Sequence, residues 1–164
     1  MKSNLLTTLL ATLLVPTLLV PLSVHAADDG VPYPADYRQW THVKTMLIQP
    51  GHALENPFQG IHHIYANEKA LKGLKKGTFS NGSVLVFDLL EYREQDKTVQ
   101  ESNRKLVGVM RKDTDRFSKT GGWGFEGFAG NSNTKRLVTD GGKSCFSCHE
   151  AQAGSGYVFS QWRK

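Results

Sequence analysis

Five consecutive residues, Cys145-Phe146-Ser147-Cys148-His149, combine residue types and a spacing that define a chemistry. C-x-x-C-H is the attachment sequence of c-type haem. On a helical turn the two sulfurs come to one side, where they can form thioethers with the two haem vinyl groups, and the adjacent imidazole lies under the iron. The reading is one covalent haem c per chain, with Cys145 and Cys148 as anchors and His149 as the metal ligand. A disulfide is the default for two cysteines in an oxidising compartment, and a thioredoxin-like redox pair is the other competitor. The latter follows an early strand, whereas this pair lies near the C-terminus.

No Met follows His149, so a distal Met supplied from later in the chain is excluded. Beyond the N-terminal segment only Met46 and Met110 remain, both on apolar, strand-like runs that suit core packing. An iron with five ligands and an open distal face is therefore the leading expectation. Open positions bind gases or substrates, while closed ones shuttle electrons. His62 and His63 are adjacent, so on a strand they point to opposite faces. His62 shares a parity with Phe58 and could reach the iron as a sixth ligand. A six-coordinate electron carrier using His62, Met46 or Met110 is thus a rival reading.

Other polar residues have less specific patterns. Glu126, within the aromatic run Trp123 to Phe128, could relay protons or pair with an arginine. Arg104, Arg111, Arg136 and Arg163 are candidates for haem propionates, because a guanidinium matches a carboxylate bidentately. Gly121-Gly122-Trp123-Gly124 and Gly141-Gly142 read as turns and not as phosphate cradles, since neither leads from a strand into a helix with the expected Lys. The basic outer side of Lys69 to Lys76 reads as a solvated face, and it would suit an acidic redox partner.

The N-terminus reads as a removable export signal. Lys2 supplies a positive start, Leu5 to Leu22 is almost wholly apolar or hydroxylic, and Val24-His25-Ala26 offers small residues before a cleavage point. Residues 1–26 would be the signal peptide, and residues 27–164 a single haem c domain of about 138 residues, the size of one ordinary domain. The destination is the periplasm. No later apolar run approaches the length of a membrane span. The net charge of +5 is spread among acids, as in Arg111-Lys112-Asp113, and not gathered into a patch, which argues against nucleic acid.

The elements that must position these residues are short. Pro34 to Trp40 reads as a brief helix, His42 to Ile48 as a strand, Pro50 to Pro57 as a loop and Phe58 to Tyr65 as a second strand. Asn67 can cap a helix over Glu68 to Lys76, whose Ala70, Leu71 and Leu74 form one apolar stripe ending at Gly77. Asn81-Gly82 opens the clearest strand, Ser83 to Leu90. Strands over Leu106 to Arg111 and Trp123 to Phe128 flank a short helix over Asp113 to Lys119, and the haem helix lies near Ser144 to Ala151. Four long apolar stripes, which a helical bundle needs, are absent. The fold class is α+β, mainly antiparallel β, as one domain with a few short helices.

Pro34-x-x-Tyr37-Arg38-x-Trp40, Asn56-Pro57-Phe58, Phe79-Ser80-Asn81-Gly82-Ser83-Val84-x-Val86, Gly122-Trp123-x-Phe125, Cys145-x-x-Cys148-His149 and Val158-Phe159 together resemble the cytochrome P-460 and cytochrome c′-β family. The resemblance implies an exported, mainly antiparallel β protein, usually a homodimer, with proximally ligated haem and an open distal site. Its P-460 branch carries a Lys cross-linked to the porphyrin and oxidises hydroxylamine. Phe87 stands at the corresponding position here, which resembles the c′-β branch more closely. There a second Phe joins it to cap the distal iron, and Phe58 fits that place. Two phenyl groups provide no hydrogen-bond donor, so such a pocket should favour NO or CO over dioxygen.

Overall fold

The computed structural model describes residues 30–163. The expected signal peptide lies outside the described residues. Among the described residues, no helix is long and apolar enough to cross a membrane.

Five strands form one antiparallel sheet in the order of the chain: β1 (Thr41–Ile48), β2 (Gly60–Ala66), β3 (Val84–Gln95), β4 (Thr98–Lys112) and β5 (Trp123–Ala129). Each strand pairs with its sequence neighbour, so short connections suffice. With a few short helices added, this is the α+β, mainly antiparallel class expected from the short apolar runs. Alternation along the strands divides the apolar residues between two clusters. Val84, Val86, Val107, Val109 and Phe128 face one side, covered by the N-terminal segment through Val31 and Tyr37. Leu85, Ala66, Trp123 and Phe125 face the other, together with Ala70 of α2 (Glu68–Lys76) and Phe146 of α3 (Lys143–His149). The second side is the haem-helix face.

The helix over Glu68 to Lys76 forms as its capping signals dictate. The Asn67 side chain accepts from the Ala70 amide at 2.9 Å, and Gly77 closes the last turn in the left-handed region. Three expectations need correction. Pro34 to Trp40 supplies only a 3-10 turn, Tyr37–Gln39. Asp113 to Lys119 forms turns and a 3-10 segment, Ser118–Thr120, because the Asp113 amide bonds Gly122 to close the β4–β5 connection and does not extend a helix. Phe58 does not begin β2. It ends α1, a single irregular turn (Glu55–Phe58), and its amide donates to the Leu54 carbonyl. Pro57 has no N–H to give to a ladder, so pairing cannot extend back through it.

The two central strands run beyond the limits that their apolar runs mark. β2 pairs with β3 only as far as Leu90, and β5 pairs with β4 only from Leu106. Residues 91–103 therefore project as a two-stranded arm, closed by Asp96 and Lys97, both with positive φ (50° and 63°) as a tight hairpin turn requires.

Candidate functional site

The haem helix is started by a residue upstream of it. Asp140 accepts from the Gly142 amide at 2.9 Å and the Ser144 amide at 2.8 Å, and these bonds, that of Ser144 first, hold its carboxyl below the usual range. Gly142 stands at the N-cap with a φ of +84°, and a Cβ there would lie 3.1 Å from the Cβ of Phe125. Only glycine satisfies both conditions without strain. α3 then runs to His149 and tightens into a 3-10 segment, Glu150–Ser155. Cys145 is half-buried against the core and Cys148 is exposed; the two are not joined by a disulfide. Burial is the main cause that pushes the Cys145 thiol up. With His149 four residues after Cys145, all three side chains share a face of the turn.

His149 is half-buried between rings, with centroids 5.0 Å from Phe125 and 5.0 Å from Phe159. Its Nδ1 lies 2.8 Å from the Tyr157 carbonyl oxygen. A carbonyl can only accept, so Nδ1 carries the proton and Nε2 is the nitrogen available to a metal. Burial pushes this imidazole below its ordinary pKa, with the Tyr157 carbonyl opposing, and leaves it neutral at pH 7. The carbonyl reaches His149 because Tyr157 adopts a φ of +68°, an arrangement that strains any residue but glycine. The preceding peptide is pinned by Trp123, whose Nε1 donates to the Gly156 carbonyl at 2.9 Å.

Phe87 lies on the same sheet face, where alternation places it between Leu85 and Leu89. It stands opposite Gly108 on β4, which stands opposite Gly127 on β5. From Phe125 it is two strands across and two residues along, which sets about 12 Å between their Cα atoms. A strip without a side chain at Gly108 runs between them, and a Cβ there would meet the Phe87 Cβ at 3.4 Å. That bare position, bordered by Leu137 over Gly127, lies on the face that carries the His149 imidazole and the two thiols of one helical turn, the donor set that haem would take. Phe58 arrives from α1 and meets Phe87 edge to face, with centroids 5.7 Å apart. The two aromatics expected together are together, although Phe58 comes from a loop turn and not from a strand.

His62 completes this cluster. It is buried on the haem-helix face, its ring lies 4.5 Å from that of Phe87 at a tilt of 31°, and its Nδ1 has no hydrogen-bond partner. Burial first, then the charges of Lys44 and His63, lower its pKa to about 4. The unfolded chain would take up this proton near pH 6.5, so the contribution of neutral His62 is complete above that value and is lost as pH falls towards 4. Unfolding of the haem-loaded protein in urea should show a loss on the order of 2–3 kcal/mol between pH 7 and pH 4.5. His62→Phe should remove most of that loss; an unchanged acid limb would show that other groups cause it.

Several sequence candidates lie on the other face. Glu126 is buried there, accepting from Arg136 Nη1 at 2.9 Å and from the amides of Gly127 and Val138. It is therefore a structural ion pair, and the proton-relay expectation is corrected. Arg104 grips the buried Asp88 on that same face, its Nε donating at 2.6 Å. Arg111, opposite Val84, also belongs to it. The sheet thus separates Arg104, Arg111 and Arg136 from the haem helix, and the propionate expectation is corrected for all three; Arg163 is exposed near the C-terminus. Met110 packs with the haem helix core as expected, and Met46 stands opposite His62 on the edge strand. Sequence reasoning missed the Tyr157 carbonyl, for which no residue type signals, and Asp140, which the pattern of an acid before a helix start could have revealed.

A comparison with curated proteins finds no match. The family model of cytochrome P460 matches residues 34–160, from the first aromatic turn to the segment that supplies the His149 partner. With that match added to the haem helix and its neutral imidazole, the chain belongs to the cytochrome P460 family and is a haem cytochrome.

Proposed function

We propose that this chain is an exported, periplasmic c-type cytochrome that binds NO, and CO as a probe, on a five-coordinate haem under an aromatic cap. It would act in trapping, sensing or transporting nitrogen oxides, as the c′-β branch of its family. The observation that carries this reading is the edge-to-face contact of Phe58 with Phe87 on the face that also bears the haem helix. Haem supplies a site for a diatomic gas. Cys145 and Cys148 tether one haem per chain as thioethers, and His149 binds the metal through Nε2 with its tautomer set by Tyr157. Phe58 and Phe87 exclude water and offer no donor. Dioxygen gains from a donor as negative charge builds on it, whereas NO and CO depend on one much less. His62 stacks on Phe87, with centroids 4.5 Å apart at a 31° tilt.

The cap predicts a rate effect. Phe87→Ala should raise the association rates of CO and NO with the ferrous protein by about tenfold or more, since steric access governs ligand binding at the iron. Flash photolysis measures this, and unchanged rates would reject the cap. His62, with its unpartnered Nδ1, favours a second reading, a six-coordinate electron carrier. A low-spin ferric absorption spectrum would establish that and displace the gas-binding reading. A P-460 type hydroxylamine oxidase would instead show a porphyrin adduct on a lysine peptide after digestion. Residues 91–103 pair only with each other, which leaves the outer ladder edges of this part of β3 and β4 free for a second copy and supports a homodimer. The exposed Lys72, Lys75 and Lys76 of α2 suit an acidic redox partner.

A further inference from the structure

The residues that join β1 to β2 carry Phe58, and their hydrogen bonds are almost all internal. Among the described residues, the amides of Gly51, His52, Leu54, Glu55, Phe58 and Gln59 donate only to acceptors within residues 49–59. One side chain crosses from the sheet. Lys105 Nζ donates to the Pro57 carbonyl at 2.9 Å and to the Gln59 carbonyl at 2.8 Å, and so grips the peptides on both sides of Phe58. Its reach has a cause in β4. Leu106 pairs with Leu89 but Arg104 pairs with Leu90, which leaves Lys105 as the extra residue of a bulge. A bulge re-aims the side chain of the strand that carries it. Arg104 beside it turns to Asp88 on the far face, while Lys105 turns to the segment that holds the cap.

We infer that Lys105 is the positioning residue of the distal cap: by holding the peptides that flank Phe58, it sets how often the cap opens and therefore how fast a gas reaches the haem. This rests on the proposed gas-binding reading. An ammonium bonded to two carbonyls is stronger than a neutral bond. While the open form is a minor population, the association rate scales with that population. Losing the tether therefore multiplies the rate.

The test uses the full haem-loaded protein and carbon monoxide rebinding after flash photolysis. Lys105→Met, which keeps the stem and removes the donor, should raise the association rate about tenfold or more, since one lost hydrogen bond of ordinary strength already gives that factor and two to an ammonium are lost. Lys105→Arg should restore it to within about twofold, since the donors return. Phe58→Ala should also be fast, and adding Lys105→Met to it should change nothing more, because the lysine acts through Phe58. An unchanged rate in Lys105→Met, or a full effect persisting without Phe58, overturns the inference. Should Phe58→Ala itself leave the rate unaltered, the aromatic cap reading fails instead. Amide hydrogen exchange over residues 49–59 reads the tether without any gas: Lys105→Met should speed it, and equal exchange would overturn the tether whatever the haem binds.

Discussion

Asp88→Ala should destabilise the protein by about 3–5 kcal/mol, the range seen when one partner of a buried ion pair is removed. Asp88 is fully buried in the middle of β3. It accepts from the Tyr37 hydroxyl at 2.7 Å, from Arg104 Nε at 2.6 Å and from Arg104 Nη2 at 3.3 Å. Arg38 adds a contact at 3.3 Å, but its side chain is 59% exposed, so it contributes little. The hydrogen bond to Asp88 is the first cause that raises the Arg104 pKa, and burial followed by Asp88 raises that of Tyr37. Alanine would leave the Tyr37 phenol without its acceptor and the Arg104 guanidinium with Asn131 alone, held through Nη1 at 2.6 Å. The pair Asp88→Leu with Arg104→Met should cost much less than the two single changes together, because no lone charge then remains. Urea unfolding at pH 7 measures both. A single-variant loss below about 1 kcal/mol would mean that water replaces the carboxylate easily. The effect bears on function, since Phe87 is the next residue on the same strand, turned to the opposite face.

Cys145→Ser together with Cys148→Ser should release the haem entirely from the denatured chain. In the wild type the haem should stay with the polypeptide on a denaturing gel stained for peroxidase activity, and in the double variant the band should vanish. Each single variant should keep it through the remaining thioether. The physical basis is the turn of α3, which carries both thiols on one side with His149 beside them. His149→Ala should keep the stain but change the absorption spectrum, because tethering and ligation are separate bonds. A band that survives in the double variant would reveal another covalent link, as the lysine adduct of a hydroxylamine oxidase would provide, and would redirect the functional reading.

Legibility in the sequence followed the range of the interactions involved. The helix over Glu68 to Lys76 was readable to the residue because its signals, Asn67, the apolar stripe and Gly77, all act within one or two turns. The run Ser83 to Leu90 was readable as strand, but not its continuation through residues 91–95, where polar residues on both sides leave no alternation to detect. The helix expected over Asp113 to Lys119 failed because amides there bond across a turn, which local propensity does not register. Phe58 was placed on a strand by an apolar run that continued through it, although Pro57 already argued against a ladder there.

By itself, the order of residues determined the haem motif, the antiparallel class and the pairing of Phe58 with Phe87 as candidates, since covalent spacing, period-2 patterning and family motifs are local in the chain. Which sheet face received each residue was decided only by the tertiary structure. Alternation tells that Phe87 and Asp88 point apart, but strand register and the docking of α3 against Phe125 select the side that meets the haem helix. That selection removed Glu126, Arg104, Arg111 and Arg136 from the site, brought in the Tyr157 carbonyl, and turned a one-residue bulge at Lys105 into a hold on the cap. A one-residue change of register would exchange the two faces, and no short stretch of sequence encodes it.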